Sequence, residues 1–159
     1  MCIRDSWRNE TSQLLVVWLM NGTAKVGNLT PSPDHAVDAN WEVVAALDWN
    51  GDSFSDLLWY NASSGRIVLW FMDQNAVRIT GQFTNPMAAG DNNWRVLAAG
   101  DYGVGPDAQV GTADIIWRNA TSGRYVAWLM DRQGNRTSGL FTTPDAPTTP
   151  LDWTIVGPK

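Results

Sequence analysis

Thiols and imidazoles are almost missing from this chain, whose 159 residues include one Cys and one His. One thiol cannot form an internal disulfide, and it cannot build a cysteine-based metal site. The lone His35 lies in a Pro-flanked connector, where a solvated side chain is the plain reading. No histidine cluster, Ser-His-Asp set or Gly-rich phosphate loop is present, so the chain offers little for catalysis. Charge is sparse as well: 17% of residues are charged and the balance is −5. Mild acidity disfavours nucleic acid or an anionic membrane as a partner, and is compatible with cation binding. No apolar run approaches the roughly 20 residues of a membrane-spanning helix. An apolar content of 44% is that of an ordinary globular protein and argues against disorder. What the chain has in excess is tryptophan, ten in all.

The one Cys sits in Met1-Cys2-Ile3-Arg4-Asp5-Ser6, which resembles the translation of a transposase end used in preparing sequencing libraries. Residues 1–6 are therefore set aside as a scar, and the chain is read from Trp7. The net charge does not change, because one Arg and one Asp leave together.

Tryptophan marks an internal repeat. Trp7-Arg8-Asn9-Glu10-Thr11-Ser12 matches Trp59-Tyr60-Asn61-Ala62-Ser63-Ser64 and Trp117-Arg118-Asn119-Ala120-Thr121-Ser122. A second Trp follows each first one after 11 residues, at Trp18, Trp70 and Trp128. A third Trp opens Trp41-Glu42-Val43-Val44, Trp94-Arg95-Val96-Leu97 and Trp153-Thr154-Ile155-Val156. The spacing is 52 residues from Trp7 to Trp59 and 58 from Trp59 to Trp117. The chain thus divides into the end of one unit at 7–29, full units at 41–83 and 94–141, and the first strand of another at 150–159.

Each full unit reads as four short strands. In the first they are 41–47, 57–61, 66–73 and a weaker one at 77–83. Ala62-Ser63-Ser64-Gly65 makes a tight turn, with Gly65 free to take positive φ, and Gly123 repeats it. Gln13 holds that place in the first copy, against the pattern. Pro-bearing segments at 31–33, 86 and 144–150 are expected to be surface connectors. Residues 67–72, Ile-Val-Leu-Trp-Phe-Met, are apolar without alternation, which implies a strand covered on both faces. Four antiparallel strands per unit, with a middle strand buried twice, predict an all-β chain: a partial β-propeller of two complete four-stranded blades and two partial ones.

The stretch Asp48-Trp49-Asn50-Gly51-Asp52-Ser53-Phe54-Ser55-Asp56 joins the first two strands of the 41–83 unit. It places oxygen side chains at 48, 50, 52 and 56, the hard donors that Ca²⁺ prefers. Two readings stand: a metal loop, or a hairpin loop with an Asn-Gly turn. An EF-hand is disfavoured, because Trp59 stands where a bidentate Glu belongs and the Gly comes too early. The Trp residues also have two readings, core between blades or platforms for sugar rings. Recurrence in every copy favours core. Trp49 and Tyr102, within loops, are the candidates for exposure. Six Asn-x-Ser/Thr sequons begin at Asn9, Asn21, Asn28, Asn61, Asn119 and Asn135, and are read as turn residues.

Loop, Ser/Thr-Gly turn and the three Trp positions together resemble bacterial FG-GAP/VCBS-type repeats, with calcium loops similar to those of integrin α chains. The resemblance covers nearly all of residues 7–159. It implies blades of a larger propeller in a secreted or surface protein. By that likeness the Ca²⁺ ligands fall on Asp48, Asn50, Asp52 and Asp56, with the Phe54 carbonyl as a fifth. Ser53 departs from a Gly in the family loop. In the second loop Asp101 and Asp114 align with Asp48 and Asp56, and Asp107 is the one further acid between them. The expected function is a non-catalytic, extracellular recognition or scaffolding module with structural Ca²⁺, binding protein or glycan and completed by further blades. The alternative is the accessory propeller of a secreted hydrolase or lyase. Residues 153–159 are expected to close the ring by pairing with the N-terminal strands.

Overall fold

The computed structural model describes residues 3–102 and 111–143. Three antiparallel sheets of three, four and four strands follow one another along the chain. The first holds β1 (Ile3–Arg8), β2 (Leu15–Asn21) and β3 (Ala24–Leu29). The second holds β4 (Trp41–Leu47), β5 (Asp56–Asn61), β6 (Arg66–Met72) and β7 (Arg78–Ala88). The third holds β8 (Trp94–Gly100), β9 (Asp114–Asn119), β10 (Tyr125–Met130) and β11 (Arg136–Phe141). Strands adjacent in sequence are adjacent in every sheet, as tight local turns require.

The turns repeat in chemistry. The Oδ1 atoms of Asn9, Asn61 and Asn119 each accept N–H bonds from the residues two and three positions on, at 2.8–3.1 Å. These are side-chain turns that hold the chain ready to reverse. Gly65 and Gly123 then take φ of 71° and 72°. Gln13 takes φ of 65° at the same place. Its carboxamide accepts from Arg8 Nη2 and donates to the Glu10 carbonyl, and these bonds offset the steric cost of a side chain there.

The sheets stack face against face, and β6 shows why alternation is absent from its sequence. Ile67, Leu69 and Phe71 join one core with Ile115, Trp117, Val126 and Trp128 of the third sheet. Trp70 and Met72 point the other way, into a core with Leu15 and Val17 of the first sheet. With apolar cover on both sides, every position in the strand gains from being apolar. Trp59, Trp70, Trp117 and Trp128 are all buried, in line with the core reading of the repeated tryptophans. Polar links between sheets also recur. Arg8 Nη2 donates to the Trp41 carbonyl at 2.6 Å, and Tyr60 Oη to the Trp94 carbonyl at 3.2 Å. Ser32 forms a parallel bridge with Val77, and Asn85 with Asn135.

Two expectations change, at Pro86 and Trp49. Pro86 lies inside β7 and not in a surface connector, and the fourth strand runs on to Ala88. Pairing passes from Val68↔Phe83 to Arg66↔Ala88, so 84–87 bulge away from the ladder on an edge strand, where a residue without N–H is tolerated. Trp49 is buried, for reasons given below. The strand β1 begins at Ile3, so the segment set aside as a scar also pairs in the first sheet, which leaves its origin as it was read. Arg4, Asp5 and Ser6 hold the sheet positions of Asp56, Leu57 and Leu58 without their pattern, because a sheet edge pairs through backbone groups alone. The expected connector at 144–150 and strand at 150–159 lie outside the described residues.

Candidate metal centre

The loop between β4 and β5 turns tightly through Gly51 at φ 85° and Ser53 at φ 71°. Ser53, the departure from glycine, therefore sits in a left-handed conformation. Asp48 organises the turn: Oδ1 accepts from Gly51 N at 2.7 Å and Asp52 N at 3.1 Å, and Oδ2 from Ser53 N at 2.9 Å. Asn50 Oδ1 accepts from Asp52 N at 2.9 Å. Asp52 accepts from Phe54 N at 2.8 Å and from Asn50 Nδ2 at 2.9 Å. The Arg132 guanidinium of the third sheet lies close over Gly51, where a Cβ would stand 2.9 Å from its Cζ.

Asp56 has a different task. It is 1% exposed and clasps the loop to the sheet. Its Oδ2 accepts from Trp49 N at 3.0 Å and Asn50 N at 3.4 Å, and its Oδ1 from Met72 N at 2.9 Å. Burial pushes its carboxyl up to about 6, against the opposing pull of the Met72 and Trp49 N–H groups, while Asp52 nearby adds to the rise. Asp114 repeats the clasp, accepting from Tyr102 N and Met130 N, each at 3.0 Å. Burial raises its carboxyl too, with Met130 and Tyr102 N–H opposing. Asp101 Oδ2 accepts from Gly111 N at 2.9 Å across the second loop. Asp107 lies outside the described residues.

The residues fit a hard cation in donor type and order: three carboxylates, an amide and a carbonyl at alternate positions. Their arrangement differs from a preformed cage. The loop oxygens face the loop's own N–H groups. Among the described residues no group of three or more His, Cys, Asp or Glu side chains is arranged to hold a metal ion. Each carboxylate oxygen has two lone pairs, so acceptance of an N–H does not exhaust it.

Trp49 explains how the loop is held. It was expected at the surface and is instead 1% exposed. Its indole packs in the core between the second and third sheets, and Nε1 donates to the Asp131 carbonyl at 3.1 Å. That carbonyl belongs to the β10–β11 turn, so the loop of one sheet is pinned to the next. Tyr102, the other candidate for exposure, is half-buried. Sequence reasoning also missed a stacked cation in each sheet: Lys25 over Trp18 at 4.7 Å, Arg78 over Trp70 at 4.6 Å, and Arg136 over Trp128 at 4.9 Å. The signal was present, since Arg78 and Arg136 both follow their Trp by eight residues. Comparison with protein-family models, with curated proteins and with solved structures found no match.

Proposed function

We propose that the chain is an arc of a β-propeller that serves as a non-catalytic recognition or scaffolding module outside the cell. The observation that carries this reading is the repetition of the sheet-to-sheet links. Arg8 and Tyr60 reach the carbonyls of Trp41 and Trp94 from equivalent strands. Ser32 and Asn85 bridge equivalent outer turns. Links that recur with each added sheet suit an array extended by like units. The non-catalytic reading is supported by the two buried carboxylates, Asp56 and Asp114, which accept backbone N–H bonds that tie loop to sheet, a structural task.

In this reading Asp48, Asn50, Asp52, the Phe54 carbonyl and Asp56 hold a Ca²⁺ ion, with Asp101, Asp107 and Asp114 as a poorer second set. When bound, the ion supplies neutralisation of the loop's carboxylates. The loop itself joins two strands and, through Trp49, two sheets, which suits a structural role. The complete reading frame tests the architecture. Further Trp-marked units beside this one are expected, and their absence would refute it. A glycan array and affinity capture on the full-length protein then identify the partner class. A hydrolase or lyase domain in the same frame would instead make this an accessory part of an enzyme.

A further inference from the structure

Beside the second sheet lies a recess of about 150 Å³, walled by Val37, Trp41, Trp59, Val68 and Trp70, with Arg78 among the residues that line it. Its side chains are hydrocarbon and indole apart from that one guanidinium. Arg78 stacks on Trp70, which occupies one face of the guanidinium and leaves the N–H donors in its plane. Among the described residues no carboxylate pairs with Arg78. The indole N–H of Trp59 is buried without an acceptor and is closed to solvent, so Arg78 is the donor the recess presents. Gly81 stands directly across from Trp70, and a Cβ there would lie 3.1 Å from the indole Cδ1. The strand thus yields space to the indole and its Arg.

The third sheet repeats part of the set, without Trp117, the counterpart of Trp59. Trp94, Val126, Trp128 and Arg136 line a wider opening, with Gly139 across from Trp128. The elements common to both openings are two tryptophans, a valine and an arginine, and the ligand is argued from their chemistry. The polar side-chain atoms of the first recess are all donors, so a ligand must bring the acceptor. A guanidinium with free in-plane donors selects a carboxylate, which it binds through paired N–H bonds. A sugar would bring several hydroxyl groups, and their hydrogens would face hydrocarbon at a cost. A volume of about 150 Å³ has room for a ring the size of benzene. Aromatic walls favour such a ring through edge-to-face and offset contacts.

We infer that this recess binds a small aromatic carboxylate, its ring among Trp41, Trp59, Trp70 and Val68 and its carboxylate on Arg78. The Arg136 recess is a wider, partial copy. This inference does not depend on the cation reading, so the experiment is run in chelator.

Saturation-transfer NMR on the full chain, with phenylacetate as probe, is the test. Saturable transfer to the phenylacetate ring protons is expected. Phenethyl alcohol, of similar shape without the charge, is expected to bind about tenfold more weakly or worse, the range for loss of a charge-assisted hydrogen bond. Combined Arg78→Gln and Arg136→Gln, with far-UV circular dichroism as the check on folding, should weaken phenylacetate by a similar factor. Galacturonate should bind more weakly than phenylacetate. Absence of saturable transfer, equal binding of the alcohol, undiminished binding by the folded double variant, or tighter binding of galacturonate would each overturn the inference. The comparison of ligands on the unaltered chain decides the matter even if the double variant does not fold.

Discussion

Replacing Trp49 asks whether the Asp loop is an anchor or an exposed platform. The side chain is 1% exposed and packed between two sheets. Burying an indole removes roughly 150–250 Å² from water. At about 25 cal/mol per Å² that contributes roughly 4–6 kcal/mol. Residual burial in the unfolded chain lowers the figure. Trp49→Ala is therefore expected to cost about 3–5 kcal/mol, as Trp truncation in a core does. Trp49→Phe keeps most of the area and loses the bond to the Asp131 carbonyl, worth about 1 kcal/mol. That carbonyl also accepts from Gly134 N at 3.0 Å, so the Phe variant leaves no orphan acceptor. Urea unfolding in chelator, followed by far-UV circular dichroism, measures both changes. For a domain of this size each kcal/mol shifts the melting point by about 2–4 °C, so Trp49→Ala should melt about 10 °C lower. A cost below about 0.5 kcal/mol, the level of a surface substitution, would refute the anchor and restore the exposed platform.

Three further outcomes are expected. Extracellular Ca²⁺ sites have Kd on the order of 10⁻⁴–10⁻³ M, and at ten times Kd one site adds roughly 1.4 kcal/mol. Asp52→Ala should remove that gain, and identical melting curves in Ca²⁺ and chelator would end the cation reading. In chelator, Asp56 should impose a pH slope, because its carboxyl sits at about 6 in the fold, against about 3.9 in the unfolded chain. The native state then keeps a proton that the unfolded state releases, so stability falls as pH rises from about 4 to about 6, by roughly 3 kcal/mol. Asp56→Asn should flatten that part of the profile, and an unchanged slope would assign it to another group. Trp7 is 50% exposed where its equivalents Trp59 and Trp117 are 1% and 0%. Residues 7–159 alone should therefore self-associate in sedimentation, and a monodisperse monomer would contradict this.

Much of the strand plan was legible because its signals are local. Asn9, Asn61 and Asn119 make their turns with residues two and three positions on. The doubly apolar run at 67–72 announced a strand between two cores, and both cores contain it. The candidate loop was legible as chemistry: its acids and amide were found, and so was its place between β4 and β5. Their hydrogen bonding was not legible. Alternate spacing suggests oxygens aimed at one point, and the same spacing serves equally well to turn each oxygen onto a loop N–H. Pro86 misled for a related reason. Proline marks a connector in isolation, yet an edge strand with a bulge also has room for it.

By itself, then, the sequence determined the repeat, the order of strands and the chemistry of the turns, since each depends on residues near one another in the chain. The tertiary structure decided the cover of the aromatic rings that lie outside the repeat. Trp49 reads as a loop residue until Asp131, 82 positions later, supplies its hydrogen-bond acceptor. Tertiary structure also separated Asp56 from Asp48 and Asp52. All three are acids of one loop, but only Asp56 faces the backbone of β6, at Met72. Burial and hydrogen bonding are properties of what the next sheet brings, and a repeat read along one chain does not show its neighbours in space.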